Sequence, residues 1–200
     1  MKVNREYVKK QAEELIEKYA LTTPVHIFQL ADLIGIKWET RPTGQLEEII
    51  KKQEPNTKEI ENWQDILGYY DSKTQTIYLN TDNHPITRKR FTMAHEIGHF
   101  TMHHQINGLL RKIFFRQDIV ESRDEVEAEA NYFASYLLMP DREIKKKLEY
   151  TILLMDGEQT IKTFAKMFAV SPESMRIRLK LFKEEHPDLW TTYNMEQKLF

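Results

Sequence analysis

The chain has 200 residues, of which 40% are hydrophobic and 30% charged, with a formal net charge of -2. That length suits one compact domain, or one domain with a small appendage, and the composition is that of a globular rather than a disordered chain. The near-neutral charge gives no global drive toward nucleic acid or membrane, and the absence of cysteine excludes disulfides, thiolate metal ligands and a cysteine nucleophile.

The opening segment "MKVNREYVKKQAEELIEKYA" is charged throughout and lacks the apolar stretch of a signal peptide. No run reaches the apolar length of a membrane span, so a cytoplasmic protein is expected. Tyr7, Val8, Ala12, Leu15, Ile16 and Tyr19 recur at helical spacing and predict a helix over 4–20. Pro24 and Gly35 bracket a second helix, and "IKWET" reads as a short strand. Residues 41–62 are polar and rich in turn formers, which predicts an exposed loop with at most a helical turn at "QLEEIIKK". "ILGYYDSKTQTIYLN" predicts a β-hairpin with arms over 66–70 and 76–80. The second arm offers a free edge on which an extended peptide could add as a strand.

After Pro85 a long helix is expected over 86–104, then a stretch over 105–122 with no clear periodicity, which could cover a site as a lid. "RDEVEAEANYFASYLL" is helical and ends at Met139-Pro140; "DREIKKKLEY" is a further helix. Two short helices flank "AVSPES", with Ser171 as N-cap and Pro172 as first helical residue. Their spacing is that of a helix-turn-helix, and Arg176, Arg178 and Lys180 decorate the second helix. Direct DNA binding is thereby open but not favoured, because the overall charge is slightly negative and an acidic stretch follows.

The chemistry concentrates in "HEIGH". His95 and His99 lie one turn apart on one helical face, so two imidazoles can reach one ion. Glu96, turned about 100° around the axis, is poorly placed as a ligand but can take a proton from a water held there. Phe91, Ala94, His95, Gly98, His99 and Met102 share a broad stripe, and Gly98 leaves room for a close neighbour. A catalytic zinc needs a third protein ligand. On the next helix Glu127 shares a face with Ala130 and Ala134, whereas Glu129 leans toward Phe133 and Tyr136. Glu127 is therefore the expected ligand and Glu129 the runner-up, with Asn131 orienting a histidine from behind. His103, Tyr69 and Tyr70 are candidate donors to a developing oxyanion. Two histidines and a carboxylate also suit non-haem iron, but the glutamate beside His95 points to hydrolysis.

"RKRFTMAHEIGHFTMHH" followed by "EAEANYFASYLLMP" resembles the ImmA/IrrE family of metallopeptidases, over about residues 66–140. The resemblance implies an α+β fold: a mostly helical, zincin-like metallopeptidase domain with a small β-sheet over 1–150. A C-terminal helical extension with the helix-turn-helix-like pair then covers 151–200. It implies a zinc-dependent endopeptidase whose partner is a protein substrate, a helix-turn-helix repressor of a phage, mobile element or stress response. By motif position the family's ligands fall on His95, His99 and Glu127 and its base on Glu96. The alternative is a regulator that binds DNA or a repressor and whose metal is only structural.

Overall fold

A computed structural model describes residues 3–53, 60, 62–71, 73–82, 85–102, 113–115, 125–151 and 157–192. The first helix, α1 (Arg5–Lys18), forms where the apolar spacing put it, and Asn4 caps it by accepting from the Tyr7 N–H at 3.1 Å. Its Val8, Ala12, Leu15 and Ile16 are buried. α2 (Ile27–Leu33) ends at Gly35, whose φ of +81° lies in the left-handed region that glycine enters without strain. β1 (Lys37–Arg41) follows.

The next segment departs from expectation. Residues Thr43–Gln53 form a full helix, α3, rather than a loop with a helical turn. Its charged residues line the outer face, while Leu46 and Ile50, four apart, are buried. Ile50, with Ile60, Ile66 and Tyr69, makes a small second core on one face of the sheet. One buried apolar residue per turn is enough to dock a helix when a sheet face needs covering.

A short turn of 3-10 helix (Trp63–Asp65) leads into β2 (Ile66–Asp71) and β3 (Thr76–Asn80), the predicted hairpin. With β4 (Ile113–Phe115) these strands make a four-stranded sheet in the order β1-β3-β2-β4. β1 runs parallel to β3; the other pairings are antiparallel. β3 is thus paired on both sides, which overturns its expected role as a free edge for substrate: the parallel partner β1 occupies that edge.

Among the described residues six further helices follow: α4 (Ile86–Thr101), α5 (Glu125–Leu138), α6 (Asp141–Thr151), α7 (Gly157–Phe168), α8 (Pro172–Glu185) and α9 (Pro187–Thr192). The fold is α+β and mostly helical. One hydrophobic cluster runs from Val8 of α1 through Leu67, Ile77 and Leu79 of the sheet, Ala94 and Ile97 of α4 and Phe133 of α5, to Phe164 and Phe182 of α7 and α8. Ser171 caps α8 through the Ser174 N–H at 3.0 Å, with Pro172 first in the helix as expected. Among the described residues, no helix is long and apolar enough to cross a membrane.

Two buried arginines tie the C-terminal helices down. Arg90 of α4 donates through Nε to the Ala169 carbonyl, 2.9 Å away, in the α7–α8 turn. Arg178 of α8, expected on the exposed face, is 0% exposed. Its Nε donates to the Met139 carbonyl at 3.1 Å, and its Nη2 pairs with Asp141. Arg176 pairs with Glu158 and, at 3.6 Å, with Glu173. Arg176 and Arg178, read as decorating α8, are thus engaged within the fold.

Candidate metal centre

α4 and α5 pack along their lengths, and Gly98 permits the approach. A Cβ built there would lie 3.0 Å from Phe133 Cδ1 and 3.2 Å from Phe133 Cβ and Cγ. Phe133, read from sequence as part of another stripe, is fully buried and fills the space glycine leaves. It cannot yield easily, so Gly98→Ala is expected to destabilise. Overpacking costs about 1–3 kcal/mol, against about 1 kcal/mol regained in helix propensity. Chemical unfolding should show a net loss on the order of 1 kcal/mol, which Phe133→Leu in the same chain should relieve. An unchanged midpoint in the single variant would refute the contact's importance.

The close packing brings three side chains to a point. His95 Nε2 lies 2.9 Å from His99 Nε2 and 3.1 Å from Glu127 Oε2; His99 Nε2 lies 3.6 Å from Glu127 Oε1. Behind His95, its Nδ1–H donates to Asn131 Oδ1 at 2.9 Å. That bond fixes the proton on Nδ1 and leaves the neutral ring's lone pair on Nε2, facing Glu127 and His99. His95, Glu96 and His99 are all buried.

The electrostatics follow from this crowding. Burial works against a charge on His95, but the Glu127 carboxylate, with Glu96 adding to it, holds the imidazole above its ordinary value. Burial likewise opposes ionisation of Glu127, yet the two histidines hold its carboxyl well below the usual range. Glu96 behaves oppositely. Burial pushes it up to about 8, with His95 opposing and Glu127 reinforcing the shift. Its Oε1, 3.9 Å from His95 Nε2, is buried without a hydrogen-bond partner.

These groups fit a metal ion. Nitrogens about 2.0–2.1 Å from a tetrahedral ion lie about 3.3 Å apart, close to the observed pair spacing. A cation between them would also answer the otherwise unpartnered Glu96 oxygen. By spacing alone, His95, Glu96 and His99 also make a compact trio, their donor atoms within 4.8 Å of one another. Glu127 is the better third ligand because one carboxylate approaches both imidazoles, whereas Glu96 comes no nearer than 3.9 Å to His95. Asp141, Glu185 and His186 form a second group with metal-like spacing, but Lys9 and Arg178 already supply the positive charge there.

The remaining sequence candidates divide. Tyr69 faces away from the α4 side of the sheet, within the small core under α3. Tyr70, its neighbour, packs against the large core that contains α4. His103 and the lid stretch, β4 apart, lie outside the described residues. Glu129 is half-buried on α5. What sequence reasoning missed was Phe133, whose place opposite Gly98 becomes visible once α4 and α5 are packed face to face.

Fold and site together define a helical α+β domain built around a two-histidine, one-carboxylate centre with an acid beside it. The chain belongs to the IrrE N-terminal-like domain family, Peptidase_M78, whose model matches residues 56–180. A metallopeptidase family implies a metal ion. The chain is 26% identical over 157 residues to uncharacterized immunity region protein 2 of Bacillus phage phi105, covering 75% of this chain and 82% of that one. It is 30% identical over 73 residues to metallopeptidase ImmA of Bacillus subtilis (strain 168), covering 36% and 41%. Among solved structures it matches a Mycobacterium tuberculosis transcriptional regulator with a TM-score of 0.54 at 18% identity. That match covers 86% of this chain but only 46% of the regulator, so the chain spans about half its length and shares its fold.

Proposed function

We propose that the chain is a zinc-dependent endopeptidase that cuts a helix-turn-helix repressor of a phage or mobile element. The observation that carries this reading is the convergence of His95, His99 and Glu127 beside a buried, unpartnered Glu96 oxygen. A structural metal site has no use for such an oxygen; a hydrolytic one does. A phage immunity-region protein and a metallopeptidase among the relatives support the choice of target and reaction.

In this reading His95, His99 and Glu127 hold zinc, and Asn131 keeps His95 in the ligating tautomer. Zinc supplies Lewis acidity, acidifying a water to a pKa of about 7 and polarising the scissile carbonyl. Glu96 Oε1 takes up the water's proton and delivers it to the leaving amine nitrogen. A cation held by these ligands would favour the ionised Glu96 carboxylate, which burial alone disfavours, and so suit it to act as a base. The α7–α8 pair serves as packing in this account, since Arg178 is spent inside the fold.

The test is Glu96→Gln. It should keep full metal content and the wild-type thermal midpoint while cleavage of co-expressed helix-turn-helix repressors falls by about 10²–10⁴-fold. Intact-mass spectrometry of the repressor reads the result. Undiminished cleavage would remove Glu96 from the chemistry. Metal without cleavage of any repressor by the wild type would favour the regulator with a structural ion.

A further inference from the structure

The contact between Gly98 and Phe133 falls inside the ligand set. Gly98 follows His95 by three residues on α4 and directly precedes His99. On α5, Phe133 comes two residues after Asn131, which holds His95, and six after Glu127. At about 100° per residue, Glu127 and Asn131 stand on one flank of α5. Phe133 stands on the other flank, about 120° around from Glu127, with Ala130 and Ala134 between them. Both alanines are buried. α5 therefore straddles α4: one flank carries the carboxylate, and the other rests on Gly98. Packing alone does not ask for glycine here. Alanine facing a smaller side chain would fill the same volume without glycine's helix penalty.

A flank contact of this kind sets how one helix seats on its neighbour. Phe133 Cδ1 lies 3.0 Å, and its Cβ and Cγ 3.2 Å, from where a Cβ on Gly98 would be. Ordinary carbon contacts are about 3.5–4.0 Å. The Phe133 side chain is fully buried, and its Cβ moves only with the helix backbone. One methyl added at Gly98 therefore displaces α5 by about 0.5 Å, and ring atoms removed from Phe133 let it settle inward. Glu127 is carried on the same helix, its oxygens 3.1 and 3.6 Å from the two imidazole nitrogens. A binding constellation tolerates about 0.5 Å of error, so displacement and tolerance are of one size. We propose that Phe133 is a positioning residue of the metal centre: seated on Gly98, it sets the distance at which Glu127 meets His95 and His99. It thereby governs the affinity and geometry of the ion they hold. The inference rests on the metal-binding part of the peptidase reading and names the side chain that tunes it.

Cobalt(II) added to the metal-free full chain is the probe, because it accepts zinc's ligands and its visible bands report their geometry. Gly98→Ala and Phe133→Leu should each weaken cobalt binding about tenfold or more, the scale for groups that orient a ligand. Each should also shift the visible bands, while circular dichroism shows both variants folded. The double variant exchanges volume across the contact and should recover most of the affinity and the wild-type spectrum. Ile161→Val on α7, in the same large core, gives a modest loss of stability away from the α4–α5 seam. It should leave affinity and spectrum unchanged. Wild-type affinity and bands in both single variants would overturn the proposal. So would an equal loss in Ile161→Val, which would trace the effect to stability alone. A wild-type chain that takes up no cobalt sinks the metal reading, and the positioning role with it. Wild type that binds while the variants match it sinks the positioning role alone.

Discussion

Glu127→Ala should leave a folded chain with no retained metal after gel filtration, where the wild type carries near-stoichiometric zinc by elemental analysis. The reason is geometric. Glu127 presents one oxygen to each imidazole, 3.1 and 3.6 Å away, and is the point at which α5 joins the α4 site. Without it, two neutral histidines and no charged ligand remain beyond Glu96, which is raised toward protonation by burial. Glu129→Ala, two residues along, should retain the metal. Asn131→Ala should fall between them: it frees the His95 ring rather than deleting a ligand, and such outer partners are worth about 10–100-fold in affinity. Metal retained by Glu127→Ala would transfer the third-ligand role to Glu96, since that trio also has coordinating spacing. It would also end the hydrolytic mechanism, because a ligand carboxylate is not free to carry a proton.

The parts of this site that the sequence disclosed are those with local periodicity. His95 and His99 are one helical turn apart, and that spacing needs no tertiary information. Glu127 was legible through the alanines at 130 and 134, because small residues mark the face along which two helices approach. What stayed hidden depends on contacts distant in sequence. β3 was read with a free edge because a parallel pairing with β1 leaves no local trace; only a hairpin announces its own partner. In the sequence, the charged residues of α3, with Pro42 before it and Gly44 in its first turn, suggest a loop with at most a helical turn and mask Leu46 and Ile50, because the sheet face that the helix covers leaves no local trace. Arg178 was placed on the surface by residue type. Arginine is almost never fully buried unless paired, and its partner Asp141 lies on another helix.

That pair carries the second large effect. Asp141→Asn should cost about 3–5 kcal/mol, the usual penalty for breaking a buried ion pair from one side. Asp141 accepts hydrogen bonds from Lys9 of α1, from Arg178 of α8 and, at 2.7 Å, from His186. The guanidinium also lies 4.8 Å from the centre of the Tyr136 ring on α5. With the carboxylate neutralised, Arg178 keeps the Met139 carbonyl and the Tyr136 ring, and its charge faces the Glu185 carboxylate at 3.7 Å, in a place with no access to water. At about 2–4 °C per kcal/mol for a chain of this size, the melting temperature should fall by about 6–20 °C. Asp141→Leu combined with Arg178→Met should recover much of that, since an apolar pair leaves no stranded charge. The pH dependence has a definite sign. Burial opposes the Asp141 charge, but Arg178, Lys9 and His186 outweigh it and hold the carboxyl below its ordinary value of 3.8. The stabilisation is therefore fully present above about pH 4 and is lost as pH falls through the lower folded value. The gap in stability between wild type and Asp141→Asn should be constant near neutrality and shrink below pH 4; a gap that is widest in acid would contradict the pairing. The clasp grips the far end of α5 from Glu127, so the folded variant should keep its metal. Loss of metal at 25 °C, without unfolding, would instead make the C-terminal helices part of what sets the ligand geometry.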